Sequence, residues 1–588
     1  MQGKKLAIFG IDGADPKRVG KMLKAGMLPN LAQLADEGCF GRLATTHVSQ
    51  SPVAWSSFMT GMNPGKHGVF DFIMRDPKTL GLKLGLNDEI TDALGARKFL
   101  PVIRERPFWN ALGEAGVRGI AAFIPVTFPP VPFNGIVLGG MGVPDLRGTQ
   151  GMPAAFTNDP KFPKKQEVVF VKGGDAELIA DESERVKMKI SVSAEYVEIS
   201  IAGEKIRLRS GEWSKYVRAM FGKREGVMRF RLLSLRGEKF VLYASPVMIS
   251  PYNPHVNITE PAGIAKEIAD AAGVYKNNSF ESDVHGLKEG LIDEAVYRED
   301  MYFTLETRAK AAEYLLRNKP WEFFTCNFFA VDRAQHMFMR FEDGGHPYFE
   351  ENPEFAGEIE KAYVRMDSEF GKFRKIFGEN CMTFVISDHG FSTYRWNVQL
   401  NKALMDAGLL GLREGETSET IGGINWARTK AYAAGFAGVY INLKGREAKG
   451  IVDARESEGV MRDAASVLGK IRHRGVSALE GTLRGSEIFF GPYAKDMADI
   501  VPLYNEGFRA SRETALGGVG AGGTVYENRS KWCADHIGPG TPERNAGVIF
   551  CGEPLELEGA NIMCLAPTAL KYFGAKNNPN MDGRSMIK

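Results

Sequence analysis

KLAIFGIDGADP, residues 5–16, runs apolar from Leu6 to Ile11 and then stops at Asp12. Three more stretches share that form. FFTCNFFAVD ends at Asp332, TFVISDHG ends in Asp388 and His389, and AGVIFCG closes the series near the C-terminus. Strands that are apolar throughout suit a parallel sheet covered on both faces, because a sheet with one wet face reads as an alternation. Helical patterning lies between them, in PKRVGKMLKAG and LPNLAQLADEG near the start and REDMYFTLETRAKAAEYLLRN ahead of Asp332. This order predicts an α/β core: a doubly wound, mostly parallel sheet with helices on both faces.

Two regions break the rhythm. Residues 167–249 alternate, as in VKMKISVSAEYVEISIAG and VMRFRLLSLRGEKFVLYAS. Alternation predicts half-exposed antiparallel strands, hence a β-rich inserted cap. Residues 412–493, containing KAYAAGFAGVYINLKGRE, form a second, mixed insertion. The core is then expected in three parts, 1–166, 250–411 and 494–588.

Bulk properties narrow the class. With 588 residues, 44% hydrophobic and 25% charged, the chain has an ordinary globular composition. A net charge of +2 argues against general nucleic-acid binding. No apolar run approaches the ~20 residues that span a bilayer, so no membrane role is expected. Asp12 and Asp15 come too early to leave room for a signal-peptide core. The six cysteines include no CxxC pair, which excludes a disulfide framework and a thiolate zinc site and predicts reduced thiols in the cytoplasm. Residues 204–240 carry eleven Lys or Arg against four Glu. That surplus reads as a solvated basic face or, alternatively, as a lid that attracts an anionic substrate.

Several tempting motifs fail. GMNPGKH has one residue too few for a phosphate-binding loop and no Ser or Thr after Lys66. Gly518, Gly520 and Gly523 satisfy GxGxxG without a preceding strand. Neither GxSxG nor HExxH occurs, which removes the α/β-hydrolase elbow and the zincin proteases.

What stands is a set of polar residues just past the apolar runs: Asp12, Asp332 with His336, Asp388 with His389, and His536 in KWCADHIGPG. Ligands of open α/β sheets gather outside the carboxyl ends of the strands, where these residues would converge. Three Asp and three His, without thiolate, suit two divalent ions such as zinc, manganese or iron. Two ions about 4 Å apart can hold the attacking and leaving oxygens of a phosphoryl transfer. A serine oxygen bound by such an ion needs no histidine base. Among the serines of SQSPVAWSSFMTGMNPGKHG, residues 49–68, Ser51 is the candidate. Ser51-Pro52 is a good cap and first-position pair for a helix through VAWSSFMTG, and it puts the hydroxyl at the positive end of the helix dipole. Ser56 and Ser57 would lie inside that helix.

At these residues the sequence resembles the alkaline phosphatase superfamily. It is most similar to the type I phosphodiesterase, nucleotide pyrophosphatase and predicted phosphohydrolase/phosphomutase branch. The matching segments are FGIDGADP, MLPNLAQLADEG, SPVAWSSFMTGMNPGKHGVFDF, VDRAQH, VISDHGF, KWCADH and LAPTALKYFG with NMDGRSM, so the whole core is covered. The resemblance implies one metal held by Asp332, His336 and His536. It implies a second held by Asp12, Asp388 and His389, with Ser51 attacking from that second site through a phosphoseryl-type intermediate. Zinc is usual in the phosphodiesterase branch and manganese in the mutase branch. The nucleophile of nucleotide pyrophosphatases is usually Thr, whereas here it would be Ser51. The C/S-x-P-x-R pattern of sulfatases is lacking around Ser51. The expected activity is phosphodiesterase or phosphatase hydrolysis of a small-molecule phosphate ester. The alternatives are a phosphomutase resembling the cofactor-independent phosphoglycerate mutases and a metal-binding protein with a degenerate site. Oligomeric state stays open.

Overall fold

The computed structural model describes residues 3–91, 97–180, 184–415, 417–436, 438–536 and 540–587. Its contacts separate two compact units. One joins the residues up to Gly119 with those from Trp321 onward, and the other is Ile120–Pro320.

The first unit is built on β1 (Lys5–Ile11), β2 (Cys39–Leu43), β3 (Phe323–Phe328), β4 (Cys381–Ile386) and β5 (Gly547–Cys551), which lie side by side in the order β2-β5-β4-β1-β3. The middle strand, β1, is parallel to both neighbours: Gly10 is opposite Asn327 on one side and Ile386 on the other. The three parallel strands therefore end level, and each hands its next residues to the same rim. AGVIFCG is the exception, since β5 runs antiparallel to β4 and β2. An apolar run reports burial on both faces, not direction, so its sequence carried no sign of this reversal.

Helices cover both faces of this sheet. Successive side chains of a strand point to opposite faces, and β1 shows what each face meets. The Phe9 ring lies 5.5 Å from Phe370 and 5.4 Å from Phe373, both on the helix Glu358–Phe377. Next to it, a Cβ on Gly10 would come within 2.7 Å of Trp55. Trp55 belongs to α1 (Ser51–Thr60), whose ten residues are all buried. Glycine at position 10 lets α1 settle on the strand. Trimming Phe9 to Ala should cost about 3–5 kcal/mol, the usual range for a buried aromatic.

In the second unit the alternating sequence does what its period demands. Asp175–Ile179, Arg185–Val192, Val197–Ile201 and Glu204–Leu208 form an antiparallel meander. Val186, Met188 and Ile190 face inward while Arg185, Lys187 and Lys189 face water. A second four-stranded sheet carries Ala154–Thr157, Val168–Phe170, Phe230–Arg236 and Lys239–Ala244. Much of the basic surplus is paired inside this unit: Arg207 with Glu198, Arg218 with Glu225, Arg231 with Glu299 and Lys239 with Asp159. Within the first unit, Ala431–Ala434, Gly438–Ile441, Ile500–Tyr504 and Leu479–Arg484 form a further antiparallel sheet.

Candidate active site

All seven residues singled out in the sequence lie in the first unit, and all are buried. Asp12 leaves β1 directly. Gly13 then turns with φ +71°, and its N–H donates to Asp388 Oδ1 at 3.2 Å. A Cβ at that position would sit 3.1 Å from the Cβ of Asp332, so glycine here allows the loops after β1 and β3 to close on each other. Asp332 and His336 are four residues apart on α2 (Ala330–Phe338), which brings both to one side of the helix. Asp388 and His389 follow β4. His536 arrives differently. It follows the two-residue strand Ala534–Asp535, which pairs antiparallel with Ser392 and Thr393 outside the main sheet.

Ser51 is the first residue of α1, and Gln50 occupies the cap position without a side-chain cap bond. The cap expected of Ser51 is thus not made. Its hydroxyl goes elsewhere: Oγ donates to Asp12 Oδ1 at 3.1 Å and lies 3.2 Å from His389 Nε2. The other oxygen of Asp12 accepts from Trp55 Nε1 at 2.9 Å and Asn327 Nδ2 at 2.8 Å. The remaining serines are committed to the fold. Ser56 Oγ donates to the carbonyl of Pro52, Ser57 Oγ pairs with His67 at 2.9 Å, and Ser49 Oγ donates to the carbonyl of His536.

The three imidazoles share one orientation. Nδ1 of His336 lies 2.7 Å from the Ala534 carbonyl, Nδ1 of His389 lies 3.0 Å from the Gly390 carbonyl, and Nδ1 of His536 meets the Ser49 carbonyl. A carbonyl only accepts, so each Nδ1 carries the hydrogen and each Nε2 offers its lone pair. Those lone pairs face carboxylate oxygens. His336 Nε2 is 3.2 Å and His536 Nε2 4.0 Å from Asp332 Oδ2, while His389 Nε2 is 3.1 Å from Asp388 Oδ2. Asp332 Oδ2 and Asp388 Oδ2 are buried and receive no hydrogen bond among the described residues. Lone pair facing lone pair is repulsive unless a proton or a cation lies between, so this donor set fits divalent ions. Ligand atoms of Asp332, His336 and His536 lie within 4.8 Å of one another, and so do those of Asp12, Asp332 and His389.

Electrostatics point the same way. Burial, reinforced by Asp388 and Asp332, pushes the Asp12 carboxyl well above the usual carboxylate range. Burial opposes the charged form of His389, but Asp388 beside it wins and raises that imidazole to about 9, so a cation, whether a proton or a metal ion, is favoured between its Nε2 and Asp388. Burial, with His389 adding to it, lowers His536 to about 3. The rings of His389 and His536 stack at 3.8 Å. At Asp332, burial is outweighed by His336 and by Arg333, which donates to Oδ1 at 2.8 Å, and its carboxyl is held low. That leaves Oδ2 as the oxygen turned to the imidazoles.

Residues 6–523 match the type I phosphodiesterase/nucleotide pyrophosphatase family. The chain belongs to that family. It is therefore a phosphoester hydrolase by descent, within the alkaline phosphatase superfamily. Among solved structures, it is similar to human ectonucleotide pyrophosphatase/phosphodiesterase 5, with 11% identity and a TM-score of 0.42 over 99% of this chain and 97% of that one. It is also similar to phosphonoacetate hydrolase from Sinorhizobium meliloti 1021 in complex with phosphonoacetate, with 13% identity and a TM-score of 0.45 over 97% and 96%. No curated protein sequence matches it.

In this phosphodiesterase-family chain the supporting residues were not foreseen. Trp55 and Asn327 orient Asp12. Asn545 donates to Ser49 Oγ at 2.6 Å and also to the carbonyl of His536, so it steadies the loop that carries this imidazole. Asp535 accepts from Trp532 Nε1 at 2.7 Å and pairs with Arg509 at 2.9 Å. Asn327 had a visible signal, a lone amide in the apolar run FFTCNFF. Asn545 had none, because Ser49, the side chain it donates to, lies 496 residues away in the chain. Lys66, the residue of the failed phosphate-loop motif, pairs with Asp582 of NMDGRSM.

Proposed function

We propose that the chain is a two-metal phosphoric ester hydrolase in which Ser51 attacks phosphorus, with phosphodiesters ahead of monoesters as substrates. The observation that carries this reading is the position of Ser51 Oγ. It lies at the start of a buried helix, 3.1 Å from Asp12 and 3.2 Å from His389, beside imidazoles whose Nδ1 atoms are already engaged. Asp332, His336 and His536 would hold one divalent ion and Asp12, Asp388 and His389 the other, zinc or manganese by their donor chemistry. When bound, such ions supply positive charge that acidifies a hydroxyl and polarises a phosphoryl group.

The chain's own residues do the rest. Asp12 Oδ1 accepts the Ser51 proton in the hydrogen bond already present. Trp55 and Asn327 hold that carboxylate still, so the hydroxyl is presented in one direction. The positive end of α1 favours an anionic phosphoryl group at Ser51. Ser51 Oγ bonds to phosphorus as the alcohol of the ester departs, and water then releases phosphate or a monoester from the phosphoserine. No described helix is long and apolar enough to cross a membrane. The six cysteines are unpaired, five of them buried, which supports a cytoplasmic setting.

The test is a screen of zinc- and manganese-loaded protein against aryl diesters, aryl monoesters and sugar phosphates. The expected result is release of the aryl alcohol from diesters, with a phosphorylated Ser51 peptide trapped by rapid acid quench. Sugar phosphate isomerisation without hydrolysis would instead indicate a mutase, and no turnover with full metal content would indicate a binding protein.

A further inference from the structure

Gln50, next to Ser51, is 2% exposed. Its Oε1 accepts the backbone N–H of Phe72 at 2.5 Å. Only the oxygen of an amide can face an N–H donor, so this bond fixes which end of the side chain is which. Nε2 is then the free end. It is buried and has no hydrogen-bond partner among the described residues.

An unpaired amide in the interior is costly, and native proteins seldom keep one without a use. Its place in the chain indicates the use. Gln50 is the cap residue of α1, yet its side chain does not cap the helix. The N–H of Ser51 likewise donates to no acceptor among the described residues. Two unsatisfied donors thus belong to consecutive residues, Gln50 and Ser51, at the positive end of a ten-residue helix. Donors so arranged suit the oxygens of a tetrahedral anion.

We propose that Gln50 Nε2 donates to a non-bridging oxygen of the phosphoryl group that Ser51 attacks, which makes Gln50 a further catalytic residue. The proposal rests on the reading of Ser51 as nucleophile. The contact is a hydrogen bond only. No proton is transferred, and its benefit grows as charge builds on that oxygen in the transition state.

Gln50→Glu is the discriminating variant. It keeps an oxygen for the Phe72 N–H and replaces the free NH2 by a second oxygen, which repels an anion. Gln50→Leu removes both groups and serves as a cross-check. Inorganic phosphate binding is measured by calorimetry on the zinc-loaded full chain, together with metal content, thermal midpoint and steady-state kinetics on an aryl diester. The expected result for Gln50→Glu is unchanged metal content and thermal midpoint, phosphate affinity lowered tenfold or more, and kcat/KM lowered about a hundredfold. If both variants bind phosphate and turn over like the wild type, the inference is overturned and the proposed function stands. If wild type and Ser51→Ala alike bind no phosphate and hydrolyse no ester, the reading of the site fails, and the role of Gln50 fails with it.

Discussion

Two serine–histidine pairs use the same helix, and distance ranks them in the wrong order. Ser57 Oγ lies 2.9 Å from His67 Nε2, closer than the 3.2 Å between Ser51 Oγ and His389 Nε2. Yet His67 Nδ1 accepts the N–H of Val69, so Nε2 carries the hydrogen and donates to Ser57. That is the reverse of what a base needs. Both members of the pair are 0% exposed, and burial pushes His67 down to about 3. His389 instead has its Nδ1 hydrogen on the Gly390 carbonyl, which turns Nε2 toward carboxylates that raise the ring to about 9. The shorter contact is a neutral clasp joining α1 to the following turn, and the longer one belongs to a charged cluster that suits cations. What surrounds a contact decides its chemistry, not its length.

The hardest test of that contrast is to delete each hydroxyl. Ser51→Ala removes the oxygen proposed to attack but leaves all six carboxylate and imidazole groups. Turnover should fall on the order of a thousandfold at matched metal content, with residual activity from an activated water. Ser57→Ala should stay within about threefold of wild type while lowering the thermal midpoint, because it removes one buried hydrogen bond. Single-turnover kinetics, with mass spectrometry for a phosphorylated Ser51 peptide, separates the two. The contrast is wrong if Ser57→Ala is the inactive variant.

Asp388→Asn sharpens the same contrast from the metal side. The substitution keeps an oxygen for the Gly13 N–H and replaces Oδ2, which faces His389, by NH2. Elemental analysis should fall from about two ions per chain to about one, with turnover lost and the circular dichroism spectrum unchanged. Chelation of the wild type should abolish turnover, and zinc or manganese should restore it. Full metal content in Asp388→Asn would remove this residue from the ligand set.

Much of the fold, and the convergence of the candidate site residues, was legible in the sequence, for a definable reason. The strands β1, β3 and β4 are written as apolar runs that stop at a carboxylate, and the parallel register then forces those carboxylates onto one rim. Period and termination are local properties, so one sequence displays them. The antiparallel direction of β5 was hidden because burial on both faces erases any sign of orientation. The tautomers of the three histidines were hidden too, since they depend on carbonyls of Ser49, Gly390 and Ala534, two of which come from other segments. The cap expected of Ser51 failed because a nearby carboxylate and imidazole claim its hydroxyl.

His67 offers a test on stability. In the folded protein its pKa is about 3, against about 6.5 when exposed in the unfolded chain. The unfolded state therefore binds the proton more tightly. The stabilisation tied to neutral His67 is complete above about pH 6.5 and is lost as pH falls from there toward 3, at roughly 1.4 kcal/mol per pH unit. His67→Gln keeps an acceptor for the Val69 N–H and a donor for Ser57 but does not titrate. In urea unfolding followed from pH 7 to pH 4, the variant should lose stability less steeply than the wild type. Equal slopes would mean that the clasp is not held by a neutral imidazole.

The smallest effect is expected from the basic insertion, where a count of charges misleads as the Ser57 distance does. Eleven Lys or Arg in residues 204–240 suggest a surface built to attract anions. In place, the Arg231 guanidinium pairs with Glu299, and that of Arg229 lies 3.9 Å from the Phe303 ring and 4.5 Å from Trp213. These two are packing residues, and neutralising them tests the fold more than the field. Arg207 and Arg209 are exposed, and Arg207 is paired with Glu198 at 2.8 Å. Screening at physiological salt limits such charges to about 8 Å, so their reach into substrate capture is short. Arg207→Gln combined with Arg209→Gln should therefore leave KM, and the dependence of kcat/KM on salt, within error of wild type. The same should hold for kcat/KM in Arg229→Gln with Arg231→Gln, although that pair should unfold at lower temperature. A marked loss of salt dependence in the exposed double variant, with the thermal midpoint unchanged, would restore the substrate-attracting lid and show that partnered charges there still steer the substrate.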